Sequence, residues 1–154
     1  MKNNKGFSLV ELIIVIAIMA VLVGVLAPTY MQYVEKSKKS NDVSTVDSIV
    51  NAFEIAAIDP ETQGDTWTKI SVKIGTDDMD LVPTGSENPT NLITAVTNIV
   101  PTSTKLKSSD WGAANYKVEI IVTKGANGKV TFSYGTDTAS QKFKGYATSI
   151  SKIS

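Results

Sequence analysis

The sequence predicts an α+β protein in which one long N-terminal α-helix packs against a small antiparallel β-sheet. Residues 7–27 are almost entirely apolar, and residues 28–58 repeat apolar side chains every three or four positions, as amphipathic helices do. Residues 59–154 are rich in Ser and Thr and contain runs in which apolar and polar residues alternate, which is typical of strands. We therefore divide the chain into a leader (1–6), a hydrophobic segment (7–27), its amphipathic continuation (28–58) and a head (59–154).

The composition disfavours most enzymes. The 154 residues include no His and no Cys, so the commonest general base and the usual thiolate nucleophiles and metal ligands are missing. The formal net charge is zero, which removes the overall attraction to nucleic acid that a basic protein has. We expect a structural protein that has no cofactor and is not an enzyme.

The hydrophobic segment has the length of a membrane span. Of its 21 residues, 18 are apolar, and as a helix they would extend about 31 Å, roughly the thickness of a bilayer core. Lys2 and Lys5 precede the segment, so the leader is expected on the cytoplasmic side and everything after Ala27 outside. The chain is thus expected to be a single-pass membrane protein when first made.

Glu11 is an exception within this apolar segment. An acidic side chain in a membrane helix costs on the order of 3 kcal/mol at the bilayer centre and less near a helix end. If the chain is cut after Gly6, Phe7 becomes a new amino terminus whose positive charge lies one turn from Glu11. Glu11 could pair with this amine in its own chain or in a neighbouring chain, and a pairing between chains would favour one axial register.

The residues around this point identify a family. The sequence Lys5-Gly6-Phe7-Ser8-Leu9-Val10-Glu11-Leu12, after a short basic leader, resembles the prepilin processing site of type IV pilins. The resemblance implies the type IV pilin fold, cleavage between Gly6 and Phe7 by a membrane prepilin peptidase, and N-methylation of Phe7. It also implies assembly into a helical homo-oligomeric filament by an assembly platform and its ATPase.

Gly24 and Pro28 mark a weak point in the long helix. Proline removes one backbone hydrogen bond and crowds the preceding turn, at about 3 kcal/mol, and Gly24 weakens the same turn. One interpretation is a simple kink where the helix leaves the membrane. The resemblance implies another, in which the Gly24–Pro28 stretch unwinds in the assembled fibre and makes it extensible.

Beyond residue 28, alternation and helical spacing predict the remaining elements. Val43, Val46, Val50, Phe53 and Ala57 form the predicted packing face of the helix, which continues to about Ile58. The head is expected to contain a strand at 70–74, a helix at 91–100, strands at 116–122 and 130–134, and a last strand around 143–150. Without Cys, the end of the head would be held by side chains such as Phe143 and Ile150.

The head and the region near the membrane contain three weaker candidate binding sites. Asp77, Asp78 and Asp80 could offer oxygen ligands to calcium, although an acidic loop is the simpler interpretation. Lys36, Lys38 and Lys39 could bind anionic lipid headgroups. Trp67, Trp111, Tyr116 and Tyr146 could form an adhesive surface, but aromatic residues in so small a head are expected in its core.

The sequence favours the subunit of a surface type IV pilus, with roles in adhesion, surface motility or biofilm. It would begin as a precursor in the cytoplasmic membrane and end in a filament on the cell surface. A pseudopilin of a type II secretion or DNA-uptake system shares the same N-terminus and stays open as an alternative. A receptor or enzyme tethered by an uncleaved anchor is the second alternative.

Overall fold

The computed structural model describes residues 6–84, 88–112 and 117–150, and it confirms the α+β class. The elements in chain order are helix α1 (Leu9–Ile58), a 3-10 turn (Pro60–Thr62), strand β1 (Lys69–Ile74), strand β2 (Met79–Pro83), helix α2 (Thr90–Ile99), strand β3 (Val118–Lys124), strand β4 (Val130–Tyr134) and helix α3 (Thr138–Ile150). The chain divides into two compact units, Met1–Ser37 and Lys38–Ser154.

The first unit consists, in its described part, of the start of α1. The large apolar side chains of residues 7–27 are all exposed: Phe7 is 89 % exposed, and Val15, the least exposed of them, is 49 % exposed. Among the described residues, α1 is the one helix that is long and apolar enough to cross a membrane. An apolar surface this long requires lipid or other helices around it.

The second unit contains a four-stranded antiparallel sheet in the order β2-β1-β3-β4. Val72 of β1 lies opposite Leu81 of β2 on one side and Ile120 of β3 on the other, so one row of apolar side chains crosses the sheet. This inner face and the last turns of α1 share one hydrophobic core, in which Val46, Ile49, Ala52, Phe53 and Ala56 are the most deeply buried α1 side chains. The predicted packing face is confirmed at Val43, Val46 and Phe53, while Val50 and Ala57 lie at its half-buried margin.

The predicted last strand around 143–150 is wrong, because this segment is helix α3. Ala139, Phe143 and Ala147 recur every four residues and are all buried, which places them on one face of a helix. Asp137 caps the helix: its Oδ1 accepts the Ser140 amide at 2.9 Å, and its carbonyl accepts the Gln141 amide at 3.0 Å. The side chain of Ile150 lies outside the described residues.

Strand β2 is an element that the sequence prediction lacks. It pairs with β1 from Ile70↔Pro83 to Ile74↔Met79, at the edge of the sheet. Because the strand has only five residues, follows Asp77 and Asp78 and itself contains Asp80, its composition resembles a loop. The acidic segment therefore continues into the sheet, with Asp80 half-buried on β2.

A buried carboxylate fastens the segment after α2 to helix α1. Asp42 has no exposed surface, and its two oxygens accept the backbone amides of Lys107 at 2.7 Å and Ser108 at 2.9 Å and the Trp111 indole Nε1 at 2.8 Å. We call Asp42 and these three donors the Asp42 clamp. The Trp111 ring in turn packs on Phe143 of α3, with ring centroids 4.7 Å apart. Helix α3 is therefore held through Trp111 of the polar clamp as well as by the predicted packing of Phe143.

Candidate assembly site

The junction between Gly6 and Phe7 is exposed and non-helical. Residues 6–8 precede the first residue of α1, Leu9, and all three are exposed. A Cβ added at Gly6 would meet no atom within 4 Å, so the fold itself does not require glycine there. A protease needs access to the backbone that it cuts, and this exposed, non-helical junction offers it.

Glu11 caps the start of α1 within the chain. Its Oε2 accepts the backbone amide of Ser8 at 3.0 Å, and the Ser8 carbonyl accepts the Leu12 amide at 3.2 Å. Ser8-x-x-Glu11 has the spacing of a capping box, so the sequence itself contains the signal for this cap. The carboxylate is thereby held beside an amide that is one residue from the Phe7 nitrogen.

Helix α1 is continuous through Gly24 and Pro28. Proline has no amide hydrogen, so the carbonyl of Gly24, four residues earlier, loses its helical partner. Gly24 and Pro28 are exposed, and a Cβ at Gly24 would meet nothing within 4 Å. Side chains of the described residues therefore do not pack on Gly24 to reinforce this turn, and its unwinding in a fibre stays a prediction.

The acidic segment considered for calcium faces a lysine. The Lys117 ammonium pairs with Asp80 and, at 3.3 Å, with Asp78, and the hydrogen bond to Asp80 is the main cause that raises the lysine pKa. Asp77 is exposed in a bend. Within the described ranges, no group of three His, Cys, Asp or Glu side chains is placed to hold a metal ion.

The aromatic residues considered as an adhesive surface lie mainly in the core. Trp67 is 6 % and Trp111 is 1 % exposed, and Tyr146 packs edge-on against Trp111 with ring centroids 5.5 Å apart. Tyr116 lies outside the described residues. Lys39, considered for lipid binding, instead pairs with Asp110 and lies over the Trp111 ring, 5.4 Å from its centroid.

Asp47 on α1 has a buried oxygen without a partner. Its Oδ1 accepts no hydrogen bond from any described residue, and burial raises the pKa of this carboxyl group. Burial, and then the charge of Asp47, also raise the pKa of Tyr134 on β4. A carboxyl group with a raised pKa in the folded state destabilises the fold progressively as the pH rises above its unfolded value near 3.8.

Replacing Asp47 with Asn is therefore expected to stabilise the protein at pH 7, by a few degrees in Tm, because the amide carries no charge to bury. The gain should shrink as the pH falls towards 3.5, where the aspartate is itself protonated. Thermal unfolding of both chains in detergent between pH 3.5 and 7.5 measures this. A gain that is independent of pH, or no gain at pH 7, would contradict the assignment.

Comparison with known proteins gives consistent results. The family described as "Prokaryotic N-terminal methylation motif" matches residues 1–27. A protein named "Fimbrial protein" from Pseudomonas aeruginosa is 37% identical over 59 residues, which cover 38% of each chain. "Type IV major fimbrial protein FimA" from Dichelobacter nodosus is 34% identical over 68 residues, which cover 42% of this chain and 44% of the relative.

A third relative is matched over most of its length. "Type IV narrow pilus major component PilA5" from Thermus thermophilus is 31% identical over 80 residues, which cover 42% of this chain and 69% of the relative. The match to the Pseudomonas and Dichelobacter relatives spans less than half of their length. No solved structure matches the chain.

Proposed function

The chain belongs to the type IV pilins, a family of structural proteins rather than enzymes, and from that premise we propose that it is the main structural subunit of a pilus filament on the cell surface. The observation that carries the proposal is the N-terminus. An exposed, non-helical Gly6–Phe7 junction leads directly into an apolar helix whose first turn holds Glu11. These features suit a subunit that a peptidase cuts at this junction and that then leaves the lipid to pack against copies of itself.

The first step is processing in the cytoplasmic membrane. A prepilin peptidase cuts between Gly6 and Phe7, and Phe7 is then N-methylated. The precursor spans the membrane through residues 7–27 with its head outside, as the positive leader favours. The match of residues 1–27 to the methylation motif and the accessible junction support this step.

The second step is assembly through α1. Moving an apolar helix from lipid into a bundle of similar helices gains little free energy by itself, because lipid is equally apolar. Specificity comes from close packing and from pairing of Glu11 with the Phe7 amine of a neighbouring subunit. The cap at the start of α1 supports this pairing, because it keeps the Glu11 carboxylate at the end of the helix, beside the Ser8 amide. An assembly platform and its ATPase supply the work. Adhesion, surface motility and biofilm formation are the proposed roles of the filament.

Mass spectrometry of the protein from cells tests the processing step. We expect an N-terminal peptide that begins with N-methylated Phe7 in the wild type and in Gly6→Ala, and accumulation of uncut precursor in Gly6→Leu. Because the described residues leave the space around Gly6 empty, an effect of the Leu side chain would arise in the peptidase and not in the fold. Mature chains that keep Met1 or Lys2 would favour a tethered protein instead.

Electron microscopy separates the pilus from the pseudopilin alternative. A pilus subunit gives long surface fibres that contain this chain, whereas a pseudopilin forms a short piston within the envelope. Negatively stained cells with and without the chain, labelled with an antibody against the head, make the distinction directly.

A further inference from the structure

In the second unit, acidic and basic side chains lie near different parts of α1. Between Ser40 and Thr68 the chain contains no lysine, and the acids Glu54, Asp59 and Glu61 gather around the end of α1. Two exposed lysines, Lys105 and Lys107, follow α2 in the segment that the Asp42 clamp attaches to an earlier turn of α1.

The acidic end contains a cleft between the last turns of α1, the 3-10 turn and α2. Its volume is about 310 Å³, and its lining includes Ile55, Ala56, Asp59, Glu61 and Ile99. The charged lining residues are both acidic. Ile55 is 55 % and Ile99 is 48 % exposed at its rim. We call this the acidic cleft.

Glu61 is exposed, and its carboxylate has no ion-pair partner among the described residues. Asp59 is occupied in part, since its Oδ1 accepts the Glu61 amide at 2.9 Å. Helix α2, the other wall, contains no charged residue. The cleft therefore presents negative charge beside exposed apolar side chains, with no cation of its own in the described lining.

Positively charged side chains lie near the Asp42 clamp. Lys39 on α1 and Lys142 on α3 both bind Asp110, and their hydrogen bonds to it, with that of Lys39 the larger cause, lower the Asp110 pKa. Lys107 is exposed in the same segment as Asp110, its amide fixed by Asp42 and its ammonium without an ion-pair partner among the described residues. We call Lys39, Lys107 and Lys142 the lysine face. Its three lysines outnumber the one exposed carboxylate, that of Asp110, which Lys39 and Lys142 share.

The lysine face and the acidic cleft cannot neutralise each other within one chain. Asp42, at the lysine face, and Ala56, whose carbonyl binds Thr62 at the cleft, are fourteen residues apart on α1. At about 1.5 Å per residue this separation is roughly 21 Å, beyond two Debye lengths at physiological salt. Complementary patches at different places on one subunit make a head-to-tail contact between copies, and such contacts produce open helical filaments when the rotation between copies does not close a ring.

We propose that the lysine face of one subunit docks on the acidic cleft of a second copy along the filament, with Lys107 facing Glu61. This inference rests on the proposed function and names the surfaces by which heads meet. Ile55 and Ile99 become covered in the contact, and the opposite charges set its register. The contact supplements packing of the N-terminal helices, because it selects a particular neighbour through the head.

Charge reversal tests the contact in cells that assemble the full chain as their only pilin. We expect Glu61→Lys and Lys107→Glu each to lower the yield of sheared filaments by about tenfold or more, and the double variant to restore it to within about twofold of wild type. Lys129→Glu, in the β3–β4 turn, makes the same charge change and should behave as wild type. All three sites are exposed, and immunoblots of the membrane fraction verify equal amounts of subunit.

The absence of Cys permits a second, independent readout. A chain with both Glu61→Cys and Lys107→Cys cannot close a disulfide on itself, because a disulfide needs Cα atoms within about 7 Å. Oxidised filaments of this chain should therefore give a ladder of dimers, trimers and longer species on a non-reducing gel. Each single-Cys chain should stay monomeric.

The outcomes separate the two proposals. If the wild-type chain is processed and forms no filaments, the proposed function fails. If filaments form and the charge swap rescues nothing, or no ladder appears, the docking contact is wrong and the proposed function stands. A defect in Lys107→Glu without one in Glu61→Lys would indicate that the lysine face meets something else, such as anionic lipid, and would also overturn the contact.

Discussion

Replacing Glu11 with Val is expected to abolish filaments, or to reduce them sharply, while leaving membrane insertion intact or improved. The substitution removes a carboxylate that costs free energy in lipid, so the precursor should remain in the membrane at least as well as the wild type. In the filament it leaves the Phe7 amine of the neighbour without its partner in a poorly screened environment. Counting sheared filaments against subunit in the membrane fraction gives the result.

The cap on α1 makes a sharper control available. Glu11→Gln keeps a side-chain oxygen that can accept the Ser8 amide, but it carries no charge. If pairing with the amine drives assembly, Gln should fail nearly as completely as Val. If the capping hydrogen bond is what matters, Gln should assemble like the wild type. Normal filament yield from Glu11→Val would contradict both.

Replacing Asp42 with Ala is expected to destabilise the second unit by about 3 kcal/mol or more. The alanine chain leaves three N–H donors in the clamp without an acceptor, and each unsatisfied buried donor costs about 1–3 kcal/mol. Because Trp111 is one of the three, its fluorescence reports the loss directly. Urea unfolding of the full chain in detergent, followed by tryptophan emission, measures the change in the free energy of unfolding.

Two variants bracket this result. Asp42→Asn keeps one acceptor oxygen and should fall between alanine and wild type. Asp110→Ala removes an exposed ion-pair partner of Lys39 and Lys142 from the adjacent segment, and it should cost no more than about 1 kcal/mol. If Asp42→Ala is no more harmful than Asp110→Ala, the clamp does not hold this segment.

The sequence was sufficient for elements whose periodicity is local. The apolar run and the three-four spacing predicted one long helix that ends at about Ile58, as α1 does, and strict alternation at 70–74 and 130–134 predicted β1 and β4. Strand β2 was missed because it is stabilised by pairing with β1, which no local pattern reveals. Helix α3 was missed because its β-branched and aromatic residues suggested a strand, although the spacing of Ala139, Phe143 and Ala147 was helical.

Functional and structural sites differ in the same way: some have a local signal in the sequence and others do not. Gly6, Phe7 and Glu11 could be selected from the sequence because their significance lies in a short motif. The Asp42 clamp could not, because its donors lie 65 to 69 residues away along the chain. Asp42 lies in the amphipathic continuation of α1, where a charged side chain is expected to face water, and only the fold shows that it is buried. Long-range polar contacts of this kind leave no trace in local spacing.

The clamp has a consequence for how freely the pilin can diverge. Two of its three donors are main-chain amides, and every amino acid except proline supplies one. A change at the exposed position 107 can thus alter the outward chemistry of this loop, and with it the contact to a neighbouring subunit, while the path of the loop is preserved. Lineages could exchange residue 107 together with its partner on the neighbouring head, while Asp42, Trp111 and the buried Ser108 stay fixed.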